Sequence, residues 1–148
     1  MSEKTVLIDA DNAVLGRLAS YVAKNALNGY EVVVINAEKA VISGTKEATV
    51  AKAKRKLHTH TLGSVERSPV HYRRADNYVR RVVRGMLPWK KPKGKEAFRR
   101  VKVYAGKPPE FGDKTFMKVN IADASRLRLR CPRKTVEEIV KEIGGVKT

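Results

Sequence analysis

Thr5-Val6-Leu7-Ile8-Asp9, then Leu15, Leu18, Ala19, Val22, Ala23 and Ala26, then Glu31-Val32-Val33-Val34-Ile35: on this stretch the fold is decided. The two outer runs are continuous, apolar and rich in β-branched residues, the pattern of strands covered on both faces. Between them the apolar residues recur at helical spacing. Asp11-Asn12 supply short polar side chains suited to starting that helix, and Gly29 stands where it should end. Strand, helix and strand in this order favour parallel pairing through a right-handed crossover. Ala40-Val41-Ile42 offers a third short strand, turning at Ser43-Gly44. The fold class expected is α/β.

Working outward, Lys46 to Leu57 has helix-forming composition, though Lys52 to Lys56 brings charge without a wide apolar face. His58 to Arg74 contains Gly63, Ser64 and Pro69 and reads as a loop. Ala75, Tyr78, Val79, Val82, Val83, Met86 and Leu87 then form a helical stripe, with Asn77, Arg80, Arg81 and Arg84 lying off it. One face should pack on the domain while the other presents guanidiniums. Pro88 stops this helix. Trp89 to Lys95, a Lys/Pro/Gly segment, has little reason to fold alone. Val101 to Ala105 alternates like a strand, Pro108 to Gly112 is a turn or extended loop, and Leu127 to Arg130 alternates briefly. Thr135-Val136-Glu137-Glu138 has the spacing of a capping box, opening a short helix that Gly144-Gly145 should end. There is no internal repeat. The expectation is one domain over residues 1–148, its core within about 1–57 and 75–148, with basic loops at 58–74 and 88–96.

The formal net charge of +17 is concentrated in the middle of the chain. Between Lys52 and Lys107 there are 18 Lys/Arg against 3 Asp/Glu, whereas residues 1–51 hold 5 against 6. Such a surplus repels itself in a compact protein and calls for a polyanion. Nucleic acid is the natural one, because each phosphate contact releases condensed counterions. No apolar run approaches the roughly 20 residues needed to span a bilayer. Met1-Ser2-Glu3-Lys4 leads into a strand-like run, unlike a signal peptide, and the single cysteine, Cys131, leaves no internal disulfide to form. Both features suit a protein of the reducing cytoplasm.

Each enzymatic candidate has a plainer role beside it. Asp9 and Asp11 stand at the end of the first strand, where α/β proteins often place sites, but strand end and helix cap account for them. Ser43-Gly44-Thr45-Lys46 has the wrong residue order for a Walker loop, although a helix N-terminus beside Lys46 suits an RNA phosphate. His58 and His60 lack neighbouring ligands to complete a metal site, and Cys131 lacks a close His. No catalytic group, cofactor, metal or small-molecule substrate is expected. Tyr72, Tyr78, Trp89, Phe98 and Tyr104 are interleaved with the charge; Tyr78 and Tyr104 belong to apolar patterns, and Trp89, flanked by Pro88 and Lys90, is the better candidate for stacking on bases. No recognition-helix, zinc-finger or RNP-type motif is present, so shape and phosphate contacts should dominate.

Four islands carry a resemblance to a known family. They are Ile8-Asp9-Ala10 with Leu15-Gly16-Arg17-Leu18-Ala19-Ser20; Val34-Ile35-Asn36-Ala37-Glu38-Lys39 with Ser43-Gly44; Val83-Arg84-Gly85-Met86-Leu87-Pro88; and Arg100-Val101-Lys102-Val103-Tyr104-Ala105-Gly106. In order and spacing, over residues 8–109, they resemble the thirteenth protein of the large ribosomal subunit in its archaeal and eukaryotic form. Arg67-Ser68-Pro69 is similar to the archaeal pattern, and Lys107-Pro108-Pro109-Glu110 stands where bacterial members are His-rich. The last forty or so residues match less closely. The resemblance implies a three-layer α/β/α domain around a short, largely parallel sheet. It also implies a structural role in the large subunit, with the large rRNA and neighbouring ribosomal proteins as partners.

On that footing the candidate rRNA contacts are Arg17, Lys46, Lys54, Arg55, Lys56, His58, His60, Arg67, Arg73, Arg74, Arg80, Arg81, Arg84, Trp89, Lys90, Lys91, Lys93, Lys95 and Arg99. Gly16, Gly44, Gly85, Met86 and Pro88 are expected to shape the backbone around them. Gly16 would permit close approach near Arg17 at the first helix's positive end. Gly85 and Pro88 would aim Trp89 to Lys93 away from the core. Two other functions compete: a nucleotide-using or RNA-modifying enzyme built on Asp9, Asp11 and Lys46, and a free basic regulator of mRNA.

Overall fold

The two apolar runs are strands, and they pair parallel through the helix between them. β1 (Thr5–Asp9) and β2 (Glu31–Ile35) align Leu7 with Val33 and Asp9 with Ile35. β4 (Val101–Val103) adds to the far edge of β2 and β5 (Met117–Lys118) to the far edge of β1. The sheet order is therefore β4-β2-β1-β5, parallel throughout. β3 (Val41–Ser43) leaves this sheet and pairs antiparallel with β6 (Arg133–Thr135). The computed structural model describes residues 5–112, 114–120, 122–126 and 131–145. Leu127 to Arg130 lie outside the described residues.

Helix α1 (Leu15–Leu27) buries the six apolar positions that its spacing predicts. They join Ile8, Val32, Val34 and Val101 in the main core, together with Val79 and Val83 of α3 (Ala75–Gly85). Gly29, at φ 93°, ends α1 in the left-handed conformation. The start of α1 differs from expectation. Val14 is the capping residue and no side chain caps the helix. Asp11 and Asn12 are used elsewhere: Asn12 turns the chain at φ 55°, and Ala13 and Val14 form bridges to Asp123 and Val41. Asp9 accepts hydrogen bonds from the Asp11 amide at 3.0 Å and from Asn36 Nδ2 at 2.8 Å. That carboxylate ties the ends of the first two strands together.

α2 (Lys46–Leu57) begins at a Thr45 cap, whose hydroxyl accepts the Ala48 amide. α5 (Val136–Glu142) begins at Thr135, whose hydroxyl accepts the Glu138 amide. The Glu138 carboxylate pairs with Lys134 at 3.1 Å, and Gly144, at φ 76°, follows the helix as expected. On α3, Ala75, Val79, Val83 and, just beyond the helix, Leu87 are buried, while Tyr78 and Val82 are half-buried. Met86 departs from the stripe at 41% exposure, because the helix has already ended at Gly85. Its sulfur accepts a hydrogen bond from the Ser20 hydroxyl at 3.3 Å.

The largest correction concerns residues 88–96, expected as a basic loop. Pro92–Arg99 is a helix, α4, with Pro92 in its first turn. Ala97 is fully buried in the main core, and Gly94 lies against the Pro88 carbonyl, where a Cβ would collide. Charge hid this helix. Its two buried residues are small, Phe98 is half-buried against the core, and its lysines are exposed around them. Residues 58–74, by contrast, hold no helix or strand and carry exposed Leu62 and Val65. Local bonds stitch that loop: Thr61 to Ser68 at 3.0 Å and His71 Nε2 to the Thr59 carbonyl at 3.0 Å.

Candidate nucleic-acid interface

The outward face of α3 is built against α4. Arg84 lies over the Trp89 ring at 3.9 Å and Arg80 over Phe98 at 4.6 Å. Trp89 and Phe98 meet edge to face, with centroids 5.3 Å apart. Trp89 is thus partnered within the chain, and the expectation of a free stacking residue aimed away from the core is corrected. Arg80 and Arg84 are only partly exposed, and Arg81 is exposed. No carboxylate pairs with any of the three among the described residues. Arg80 Nε is buried without a hydrogen-bond partner. Aromatic rings hold these guanidiniums in place without neutralising them, so their charge remains available to an anion.

The other candidates divide into groups. Lys54, Arg55 and Lys56 are exposed along the last turns of α2, and His58, His60 and Arg67 on the loop after it. His58 Nδ1 sits 2.8 Å from the Lys54 carbonyl. Lys90, Lys91, Lys93, Lys95 and Arg99 are exposed around α4. Arg73 and Arg74 precede α3, and Arg74 is paired with Asp76 at 3.1 Å. Arg17 is exposed at the open start of α1, beside Gly16, against which no other part of the chain packs. Gly44, at φ 131°, makes the turn into α2. Lys46, in the first turn of α2, is paired with Glu142 at 2.9 Å. That hydrogen bond raises the lysine's pKa and lowers the carboxyl's.

Lys52, Tyr72 and Tyr78, outside the candidate contacts, also border the basic surface. Lys52 is one helical turn before Lys56, a spacing that puts both on one face. With Arg17, the two lysines line a concavity of about 510 Å³ between α1 and α2. Tyr78 lies on the apolar stripe yet also reaches this concavity, and burial pushes its phenol pKa up.

The enzyme constellation does not assemble. Asp9 and Asp11 border a space of about 40 Å³ with Asn12, Lys118 and Asp123, and Lys118 pairs with Asp11 at 3.1 Å. Lys46 is occupied on α5 by Glu142. Among the described residues no three His, Cys, Asp or Glu are grouped to hold a metal ion, and no helix is long and apolar enough to cross a membrane.

Residues 3–110 match the family described as Ribosomal protein L13. A large ribosomal subunit protein uL13 of Methanopyrus kandleri is 42% identical over 143 residues, covering 96% of this chain and 88% of its own length. The uL13 protein of Archaeoglobus fulgidus is 38% identical over 144 residues, covering 97% and 90%. That of Methanococcus maripaludis reaches 49% over 104 residues, covering 70% and 76%. The first two similarities run past the family match into the segment that the four islands leave out. With a parallel α/β sheet and those islands set on its strands and helices, the chain belongs to the ribosomal protein L13 family.

Proposed function

We propose that this protein is a structural, non-enzymatic constituent of the large ribosomal subunit, binding the large rRNA in the cytoplasm through its basic surface. The observation that carries this reading is the α3–α4 face, where Arg80 and Arg84 are braced by Phe98 and Trp89 and no carboxylate among the described residues neutralises them. The relatives' names supply the setting. Arg17, the α2 lysines, the 58–74 loop and the lysines around α4 extend the surface. Neighbouring ribosomal proteins are the second class of partner, and Leu62 and Val65, at 96% and 83% exposure, are apolar side chains open to them.

The test is retention of the protein on native large subunits, and affinity for the large rRNA, across a salt series. With about six phosphates neutralised, the log–log slope should be about −4 to −5. An affinity unchanged between low and physiological salt would refute the phosphate-based reading. Changing Arg80, Arg81 and Arg84 together to Gln should flatten the slope by about 2 to 3. It should also lower the melting temperature by several degrees, since two ring contacts are lost as well. Unchanged affinity per folded molecule would remove this face from the interface.

Hydrogen exchange supplies an independent check. Amides in Pro92–Arg99 should be protected with and without rRNA, because α4 packs on the core. Those in 58–74 should exchange quickly in the free protein and slowly in the complex. Equal protection of the loop in both states would mean that RNA does not reach it.

A further inference from the structure

Three concavities run in file across the basic side of the molecule. The first, about 510 Å³, opens beside the start of α1, with Arg17, Lys52 and Lys56 at its border. The second, about 250 Å³, lies between α2, α3 and residues 70–72, and shares Lys56, Tyr78 and Val82 with the first. The third, about 80 Å³, shares Tyr72 and Arg81 with the second and reaches Arg80 and Arg84. The file exists because α2 offers the domain little bulk. Ala53 is its one buried residue, and it packs beside Ile139 and Ile143, at the α5 end.

The lining combines two properties. Every lysine, arginine or carboxylate residue in it is a cation, and none of the six is ion-paired among the described residues. The floor is apolar, set by Val14, Leu15, Ala53 and Val82. A duplex would meet the cations with its phosphates but keeps its base faces stacked inside. A single strand can turn a base out and present both chemistries at once.

We propose that this file is a track for a single-stranded stretch of the large rRNA, with one unpaired base in the middle bay beside Tyr78 and the adjoining phosphates on Lys52, Lys56 and Arg81. The proposal rests on the rRNA-binding reading above and adds to it a location and a strand state. The Tyr78 hydroxyl makes no hydrogen bond to the chain among the described residues, which leaves it open to a base edge. Tyr72, 42% exposed where the second and third concavities join, offers a ring to the next base.

The experiment measures binding of the full chain to a labelled oligouridylate and to an RNA duplex of equal length, across salt. Lys52→Gln with Lys56→Gln should weaken oligouridylate binding about tenfold and flatten its slope by about 1.4, while duplex binding falls less than threefold. Tyr72→Ala should weaken only the single strand. Lys90→Gln with Lys91→Gln, which removes equal charge off the track, should lower both alike. Ultraviolet cross-linking should leave uridine on a peptide containing Tyr72 or Tyr78. Equal losses for strand and duplex in the Lys52/Lys56 variant, or cross-links confined to other segments, would overturn the track. So would displacement of the oligouridylate by polyglutamate at equal charge, which would mark an acidic protein segment as the occupant. If native large rRNA is still held with its steep salt dependence under any of these results, only the track falls. If native rRNA is not held at all, the broader reading falls with it.

Discussion

Val83→Asp should abolish cooperative folding. Val83 is 1% exposed and belongs to the core that joins α1 and α3 to the sheet. An aspartate there gives up an apolar contact and buries a charge with no partner, at a cost of several kcal/mol. Domains of this size hold only about 5–15 kcal/mol in reserve. Circular dichroism on heating should show no transition, or one shifted below room temperature. The adjacent change, Val82→Asp, should be milder: Val82 is half-buried, and the bay it lines also contains Lys56 and Arg81. The two positions are neighbours on one apolar stripe in the sequence, but only one is sealed. A Val83→Asp variant melting within a few degrees of the parent would mean that α3 does not face the core this way.

Gly94→Ala should undock α4. The added carbon would fall on the Pro88 carbonyl, which is main chain and has no rotamer to yield. Either the turn at 88–91 or the first turn of α4 must move, and overpacking of this kind costs about 1–3 kcal/mol or more. Because Trp89 and Phe98 meet across that junction, the shift should also disturb the ring contacts of Arg80 and Arg84. Trp89 is the sole tryptophan, so its emission reports the event directly. Emission should shift toward the solvent-exposed value while the rest of the fold persists. Parental emission and melting behaviour would show that the contact relaxes without cost.

What the sequence made legible follows how strongly each element depends on its own side chains. β1, α1 and β2 carry dense apolar patterns, and so their pairing and burial could be read directly. α2 could be read from its helix-forming composition, and α5 from Thr135, whose hydroxyl caps it as its position suggests. α4 could not, because its buried residues, Gly94 and Ala97, have almost no hydrophobic signature, and its one large apolar side chain, Phe98, stands amid lysines that suggest disorder. The helix-starting role given to Asp11 and Asn12 failed because a tertiary demand, the bridges of Ala13 and Val14, captured the same turn. Among site residues, the sequence marked the arginines of α3 by their place off the stripe. It did not show that aromatic rings brace two of them. It placed Tyr78 on the core side, where the ring does pack, but gave no sign that the same half-buried ring also borders two concavities.

The sheet order β4-β2-β1-β5 carries a consequence for biosynthesis. β1 finds one neighbour, β2, soon after it is made, but Ile8 and Asp9 wait for Met117 and Lys118 to cover the opposite edge. Until then a strand of Val, Leu and Ile offers unpaired amides and carbonyls to any passing chain, a known route to aggregation. Contacts so distant in sequence also slow folding. The nascent protein is therefore most vulnerable just before its last quarter emerges, when a two-residue strand covers that edge at Ile8 and Asp9.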